Sequence, residues 1–239
     1  ISGAAMLGPL NNATAIAYDD QGHAISAAAQ VIDGHYSLVL NKPGYRGTVL
    51  VVISDNTPGV PDNYADEATH KLTDLGNTVL RALVTATGAS QNVNVTALTE
   101  LAVIKAGMDV GMLNPSEVPD LSAERIAAIN NAVGGFFKVD AIGGEVVPTA
   151  SQNVNGQVVV NPGFNPGISS EAYNYGVALK AISNLSALDP KAYPAQIDAI
   201  RKLANALQFV DDSNSALKWA TNVRGQSLAS SNLMQSNLF

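Results

Sequence analysis

Few side chains in this 239-residue sequence are of types that do chemistry, and their spacing limits what that chemistry could be. Cysteine is absent, which removes disulfides, thiol nucleophiles and cysteine-ligated zinc or iron–sulfur centres together. The three imidazoles are His23, His35 and His70. His23 and His35 follow turns and could approach each other across strands. A metal site needs three or four ligands with a supporting shell, so exposed turn histidines are the better reading. A serine hydrolase needs its nucleophile on a tight strand-to-helix turn. The nearest approach, Gly225-Gln226-Ser227-Leu228-Ala229, lacks the second glycine. The glutamates Glu67, Glu100, Glu117, Glu124, Glu145 and Glu171 are scattered rather than paired for glycoside chemistry. Glu124 and Glu171 fall in predicted helix first turns, where the macrodipole accounts for them.

Calcium needs only oxygen ligands, and three acidic runs could supply them. These are Asp19-Asp20-Gln21-Gly22, Asp62-Asn63-Tyr64-Ala65-Asp66-Glu67 and Asp211-Asp212-Ser213-Asn214-Ser215. The last begins like an EF-hand loop but has Ala216 in place of glycine and Asn222 in place of the bidentate glutamate. Asp and Asn also form turns without any ion, so structural calcium stays open and no metal ligand is assigned. No glycine-rich phosphate loop is present, and no cofactor site is expected. Tyr45, Tyr64 and Tyr173 could offer a carbohydrate platform, although turn and core roles are commoner. No catalytic residue is assigned, and the chain reads as a non-enzyme.

The elements that would hold these residues change character along the chain. Thr14 to Tyr18 alternates, with Thr14, Ile16 and Tyr18 on one face and Ala15 and Ala17 on the other. Ile25 to Ile32, His35 to Leu40, Val79 to Val84 and Val93 to Val95 read as further strands, with Asp33-Gly34 as a hairpin turn. Thr48 to Ile53 is nearly all β-branched or aliphatic, as in a strand buried on both faces. From Thr96 the period becomes helical. Thr96 caps a helix with Leu98, Leu101 and Ala102 inward, stopped by Gly107. Ser122 caps a second, with Ile126, Ile129 and Val133 in line. Ser169 or Ser170 starts a third, and Asp189-Pro190 signals a fourth carrying Ile197, Ile200, Ala204 and Leu207. A short fifth is predicted over Ser213 to Val223, with Trp219 on its inner face. Asn155-Gly156 predicts a small hairpin near residues 151–160.

Composition sets the outer limits. The chain is 46% hydrophobic, enough to build a core, and 14% charged against roughly 25% in ordinary soluble domains. Its net charge of −7 argues against nucleic-acid partners, which need clustered Lys and Arg. No run reaches the roughly 20 apolar residues that span a bilayer. Ile1 to Leu7 lacks a basic leader and a start methionine, which points to a processed or excised chain.

Several segments together resemble a known module. Ile1-Ser2-Gly3, Ala13-Thr14-Ala15-Ile16-Ala17-Tyr18, Asp33-Gly34-His35-Tyr36-Ser37-Leu38 and Gly47-Thr48-Val49-Leu50-Val51 look like transthyretin-like (carboxypeptidase-regulatory-like) sandwich modules of bacterial surface and exported proteins. Asn94 to Ala102 is similar to the helical tail that follows some of them. The resemblance implies an extracytoplasmic, non-catalytic module and transfers no functional residue. Related surface modules carry Lys–Asn crosslinks that begin in an early strand; here no Lys or Arg precedes Lys42, which sits in a turn.

The expectation is therefore an α+β chain: an antiparallel β-sandwich over residues 1–95, then a mainly helical part over residues 96–239 ending in an extended tail. Its expected role is a structural subunit or adhesin module of an extracellular bacterial assembly, a homo-oligomer joined by strand addition from a terminal arm. Ile1 to Leu10 and Ser227 to Phe239 are the candidate arms. The alternative is an exported glycan- or peptide-binding protein with its site between the two halves.

Overall fold

The computed structural model describes residues 1–109, 117–153, 155–193, 195–211 and 217–221. It belongs to the α+β class, with several mostly antiparallel sheets and four helices among the described residues. Four strands form the larger sheet: β2 (Ala13–Tyr18), β3 (Ala29–Val31), β5 (Arg46–Asp55) and β8 (Val79–Thr87), in the order β3-β2-β5-β8, all antiparallel. A second sheet has β1 (Ser2–Met6) between β4 (His35–Ser37) and β9 (Val95–Thr96). Its β1–β9 pairing is parallel, a departure from the all-antiparallel expectation. The short ladder β6 (Tyr64–Ala65) with β7 (Leu72–Thr73) lies between β5 and β8 in sequence.

The two sheets share one core. Ala13, Ala15 and Ala17 of β2, Val49, Val51 and Ile53 of β5 and Leu80, Ala82 and Val84 of β8 are buried together with Ala4, Met6, Tyr36 and Val95 from the smaller sheet. Within the smaller sheet β1 lies close to the chain entering β9: a Cβ at Gly3 would lie 2.0 Å from the Val93 carbonyl oxygen. The Tyr36 hydroxyl donates to that same carbonyl at 2.5 Å.

The other face of the larger sheet is buried too. Leu50 and Val52 of β5 and Val79 and Leu83 of β8 pack under Val103, Met108, Val118 and Ile126. Two helices supply most of that cover, α1 (Ala97–Lys105) and α2 (Ala123–Phe137). Each begins where the sequence places a cap. Thr96 accepts from Leu98 N–H and Thr99 N–H, and Ser122 accepts from Arg125 N–H. The Asn130 amide of α2 donates to the Leu83 carbonyl at 2.9 Å, which ties α2 to β8. Helix α3 (Ser170–Leu188) is capped by Ser169, and α4 (Gln196–Ala206) lies against α1 and α3. Lys105 Nζ donates to the Ala204 carbonyl at 2.7 Å, tying the end of α1 to α4.

Three expectations are overturned. Ile1 to Leu10 is no free arm: β1 is the middle strand of its sheet, and the Ile1 carbonyl accepts from Leu38 N–H. Its apolar residues show no helical stripe because Ala4, Ala5, Met6 and Leu7 are buried in succession, on both faces of the strand and beyond its end. Asp189-Pro190 opens a turn instead of a helix; Asp189 ends α3 and accepts from Ala192 and Tyr193 N–H. The predicted fifth helix is replaced by a hairpin, β12 (Leu207–Asp211) with β13 (Leu217–Thr221), whose register sets Phe209 opposite Trp219. Leu207 accordingly lies on a strand, not on the fourth helix. The predicted small hairpin is present as β10 (Ala150–Gln152) and β11 (Val158–Val160), so the C-terminal part mixes strands with helices. The expected strand over Ile25 to Ile32 is confined to β3, with isolated bridges Ser26–Leu40 and Ile32–His35 on either side.

One charged pair sits inside the outer layer. Arg81, on the face of β8 that meets α1, donates from Nε to Glu100 Oε2 at 3.1 Å and from Nη2 to Glu100 Oε1 at 2.6 Å. Both side chains are buried, and Arg81 also donates to the Asp109 carbonyl at 2.5 Å. Glu100→Ala would strand a buried guanidinium and is expected to cost about 3–5 kcal/mol in urea denaturation. The double replacement Arg81→Met with Glu100→Leu should recover most of that loss. Equal losses in the two variants would show that the pair does not act as a unit.

Candidate functional site

A cleft of about 380 Å³ opens where the sandwich meets the segment entering β10. On the sandwich side it is walled by Met6, Pro9, Asp33 and His35, and on the other by Pro148 and Ser151. The Asp33-Gly34 hairpin turn puts Asp33 and His35 at the rim. Asp33 is held at φ 48°, with its N–H donated to Asn11 Oδ1 at 2.8 Å. Gly34 has φ 72°, and a Cβ there would lie 2.6 Å from the Met6 methyl carbon, so the turn packs directly on the core. Asp33 and His35 are exposed, which leaves a carboxylate, an imidazole and the Ser151 hydroxyl facing one space.

Two neighbouring carboxylates fasten this region to the rest of the molecule. Asp66 accepts from the Ser183 hydroxyl of α3 at 2.8 Å and from the Ala68 N–H, Thr69 N–H and Thr69 hydroxyl of its own turn. Glu67 is fully buried, and its Oε2 accepts from the Thr149 hydroxyl at 2.6 Å and the Thr149 N–H at 3.1 Å. These ties join residues 117 and 82 positions apart. Gly176 of α3 lies against the same segment, and a Cβ there would come within 2.4 Å of the Val147 carbonyl oxygen. Deeper in, the buried Tyr175 hydroxyl donates to the Ala141 carbonyl and bonds the Thr96 hydroxyl that caps α1.

Burial pushes the Glu67 carboxyl up to about 8. The Thr149 hydrogen bonds work against the shift, Asp66 beside it adds to it, and Lys180 opposes it. That shift favours the protonated form of Glu67 near neutral pH, and its Oε1 is buried with no hydrogen-bond partner.

The residues singled out by sequence come together only in part. His35 lines the cleft. His23 lies 3.4 Å from Asp19 in the turn after β2, and His70 sits in the β6–β7 turn at φ 53°. Burial opposes ionisation of Asp19, but the His23 and Gln21 N–H groups outweigh it and hold the carboxyl below its usual range. The acidic runs serve as turn formers. Asp62 accepts from the Thr57 hydroxyl, and Asn63 donates to Asp55 and accepts from Leu75 N–H. Among the described residues no group of three or more His, Asp and Glu is placed to hold a metal ion. Residues 212–216 of the EF-like run, the Gly225–Ala229 stretch and the candidate arm Ser227 to Phe239 lie outside the described residues. Tyr64 is buried, Tyr45 hydrogen-bonds to the Thr48 carbonyl, and Tyr173 stacks on Phe164 at 5.2 Å. The three serve separate surroundings and make no shared platform.

The sequence reading missed Glu67 and Glu100, which are buried while Glu117, Glu124 and Glu145 are exposed. No local signal marked Glu100: it lies on the side of α1 opposite the predicted Leu98, Leu101 and Ala102 stripe, and is buried because that side meets β8. Glu171 accepts from the Asp140 N–H, so it also holds a loop.

Compared with protein-family models, with curated proteins and with solved structures, the chain gives no significant match. The transthyretin-like resemblance finds no support there.

The unfolded chain ionises Glu67 near its ordinary value of 4.5, while the folded chain does so only near 8. Between these values unfolding releases a proton. Stability therefore falls as pH rises, by about 1.4 kcal/mol per pH unit from this group. Below the lower value its contribution is level, and above the upper value the loss is complete. Glu67→Gln keeps the shape of the neutral acid and should flatten that fall in denaturant titrations across the window. An unchanged slope would show that another group sets it.

Proposed function

We propose that this chain is a non-enzymatic structural module of an extracellular bacterial assembly, a surface fibre or an adhesin. The observation that carries the reading is how the buried polar groups are used. Asp66 with Ser183 and Glu67 with Thr149 join elements far apart in sequence, Arg81 with Glu100 joins β8 to α1, and all three pairs hold layers together. A body cross-tied this way resists being pulled or sheared open, which suits a spacer or display module. The low charged fraction and the absence of cysteine fit the same setting.

Immunogold labelling of intact cells with an antibody to this chain would test the assignment. Label on the cell surface is the expected result, and label confined to the cytoplasm would overturn it.

The cleft favours a second reading, an exported protein that binds a glycan or peptide. Its free carboxylate, imidazole and hydroxyl groups are suited to an uncharged polar ligand. Array screening should then return binders that are lost on Asp33→Ala and His35→Ala, since neither residue supports the core. Binders that survive both changes would exclude the cleft.

A further inference from the structure

The outer edge of the β10–β11 hairpin is open, and it is unusual for this molecule in two respects. The first is backbone geometry. The Asn161 N–H donates to the Thr149 carbonyl and the Asn153 N–H to the Gln157 carbonyl. In an antiparallel pair, hydrogen-bonded positions alternate, so Ser151 and Val159 form the bonded pair between these two. Val158 and Val160 therefore turn their N–H and C=O groups away from β10. Among the described residues no strand pairs with that side. On β8, by contrast, the Leu83 carbonyl is met by the Asn130 amide.

The second respect is charge. From Val146 to Ser170 the sequence has no acidic, basic or imidazole side chain, in a chain whose net charge is −7. Edge strands are ordinarily guarded by shortness, lysine, inward charge or proline; β11 is short, but its three residues are Val-Val-Val with no charge or proline among them. Val160 is 65% exposed. Two copies of an acidic chain repel over most of their surfaces, and an uncharged strand edge is a place where they can meet.

We propose that β11 is a self-association edge that takes β11 of a second copy in antiparallel register about a two-fold axis. The product is a four-stranded sheet ordered β10-β11-β11-β10 across the pair. Val158 of one copy exchanges hydrogen bonds with Val160 of the other, and the two Val159 residues face each other at the axis as a non-hydrogen-bonded pair. An isologous strand pairing is self-complementary by construction. Three residues a side bury little surface, so the contact is weak in dilute solution and gains strength where many copies are held together. This inference rests on the structural-module reading and supplies the partner for it: a second copy, joined through β11 instead of through the N-terminal strand.

The test uses the full chain, with the natural lack of cysteine as an advantage. Sedimentation velocity from micromolar to sub-millimolar concentration should show a reversible dimer. It should tighten as salt screens the net charge, where an interface of ion pairs would loosen. Val160→Lys places like charges across the axis and should weaken dimerisation by roughly tenfold or more, while Val160→Thr should retain it. Val159→Cys should form an intermolecular disulfide under mild oxidation, because facing non-hydrogen-bonded positions bring Cβ atoms within bridging range. Val39→Cys, at a residue 84% exposed elsewhere, sets the collision background. A strict monomer at every concentration would overturn the edge. So would a dimer unaffected by Val160→Lys, or Val159→Cys crosslinking no faster than Val39→Cys. Each of these outcomes is independent of where the protein is found in the cell, so surface labelling without a β11 dimer removes this inference alone. A β11 dimer in a cytoplasmic protein removes the structural-module reading alone.

Discussion

The β5–β8 pair is buried on both faces, and most of the architecture follows from that constraint. Val49, Val51 and Ile53 face the sandwich core, while Leu50 and Val52 face the helices, so neither layer can leave without exposing apolar surface. A charge in such a strand must be matched inside the same layer. Arg81 is matched by Glu100 of α1 through two hydrogen bonds, which fixes the height and rotation of that helix over the sheet. The Thr96 cap then sets where α1 begins, and the Tyr175 hydroxyl bonded to that cap places α3 in turn. A chain of buried polar contacts thus runs from the sheet to the outermost helices.

The same logic explains where the molecule is left open. Buried groups that hold layers together have partners, whereas Asp33, His35 and Ser151 around the cleft and the backbone of β11 face outward. Ligand recognition and self-association both need polar groups that folding has not already consumed. The hairpin that carries β11 is docked through Thr149, whose hydroxyl and N–H both donate to the buried Glu67.

Much of the fold is legible in the sequence wherever a local rule is sufficient. The cap at Thr96, the cap at Ser122 and the doubly buried strand around Val49 to Ile53 are each written in a few adjacent residues. The Asn155-Gly156 hairpin falls where the dipeptide indicates. Local rules mislead where two elements compete for one signal. Asp189-Pro190 satisfies the pattern for a helix start but here closes α3 in a turn. Leu217 to Thr221 is compatible with either helix or strand until Leu207 to Asp211 pairs with it.

Periodicity, capping residues and turn dipeptides determined the α+β class, most element positions and the acidic, cysteine-free surface, because each depends on neighbours within a few residues. Only the tertiary structure decided that Ser2 to Met6 is an interior strand, that Glu67 is buried against Thr149 with its carboxyl pushed up while Glu100 pairs with Arg81, and that β11 keeps an open edge. Those outcomes depend on which distant groups share a dry space. Glu67 and Thr149 are 82 residues apart, and no local pattern records that they meet.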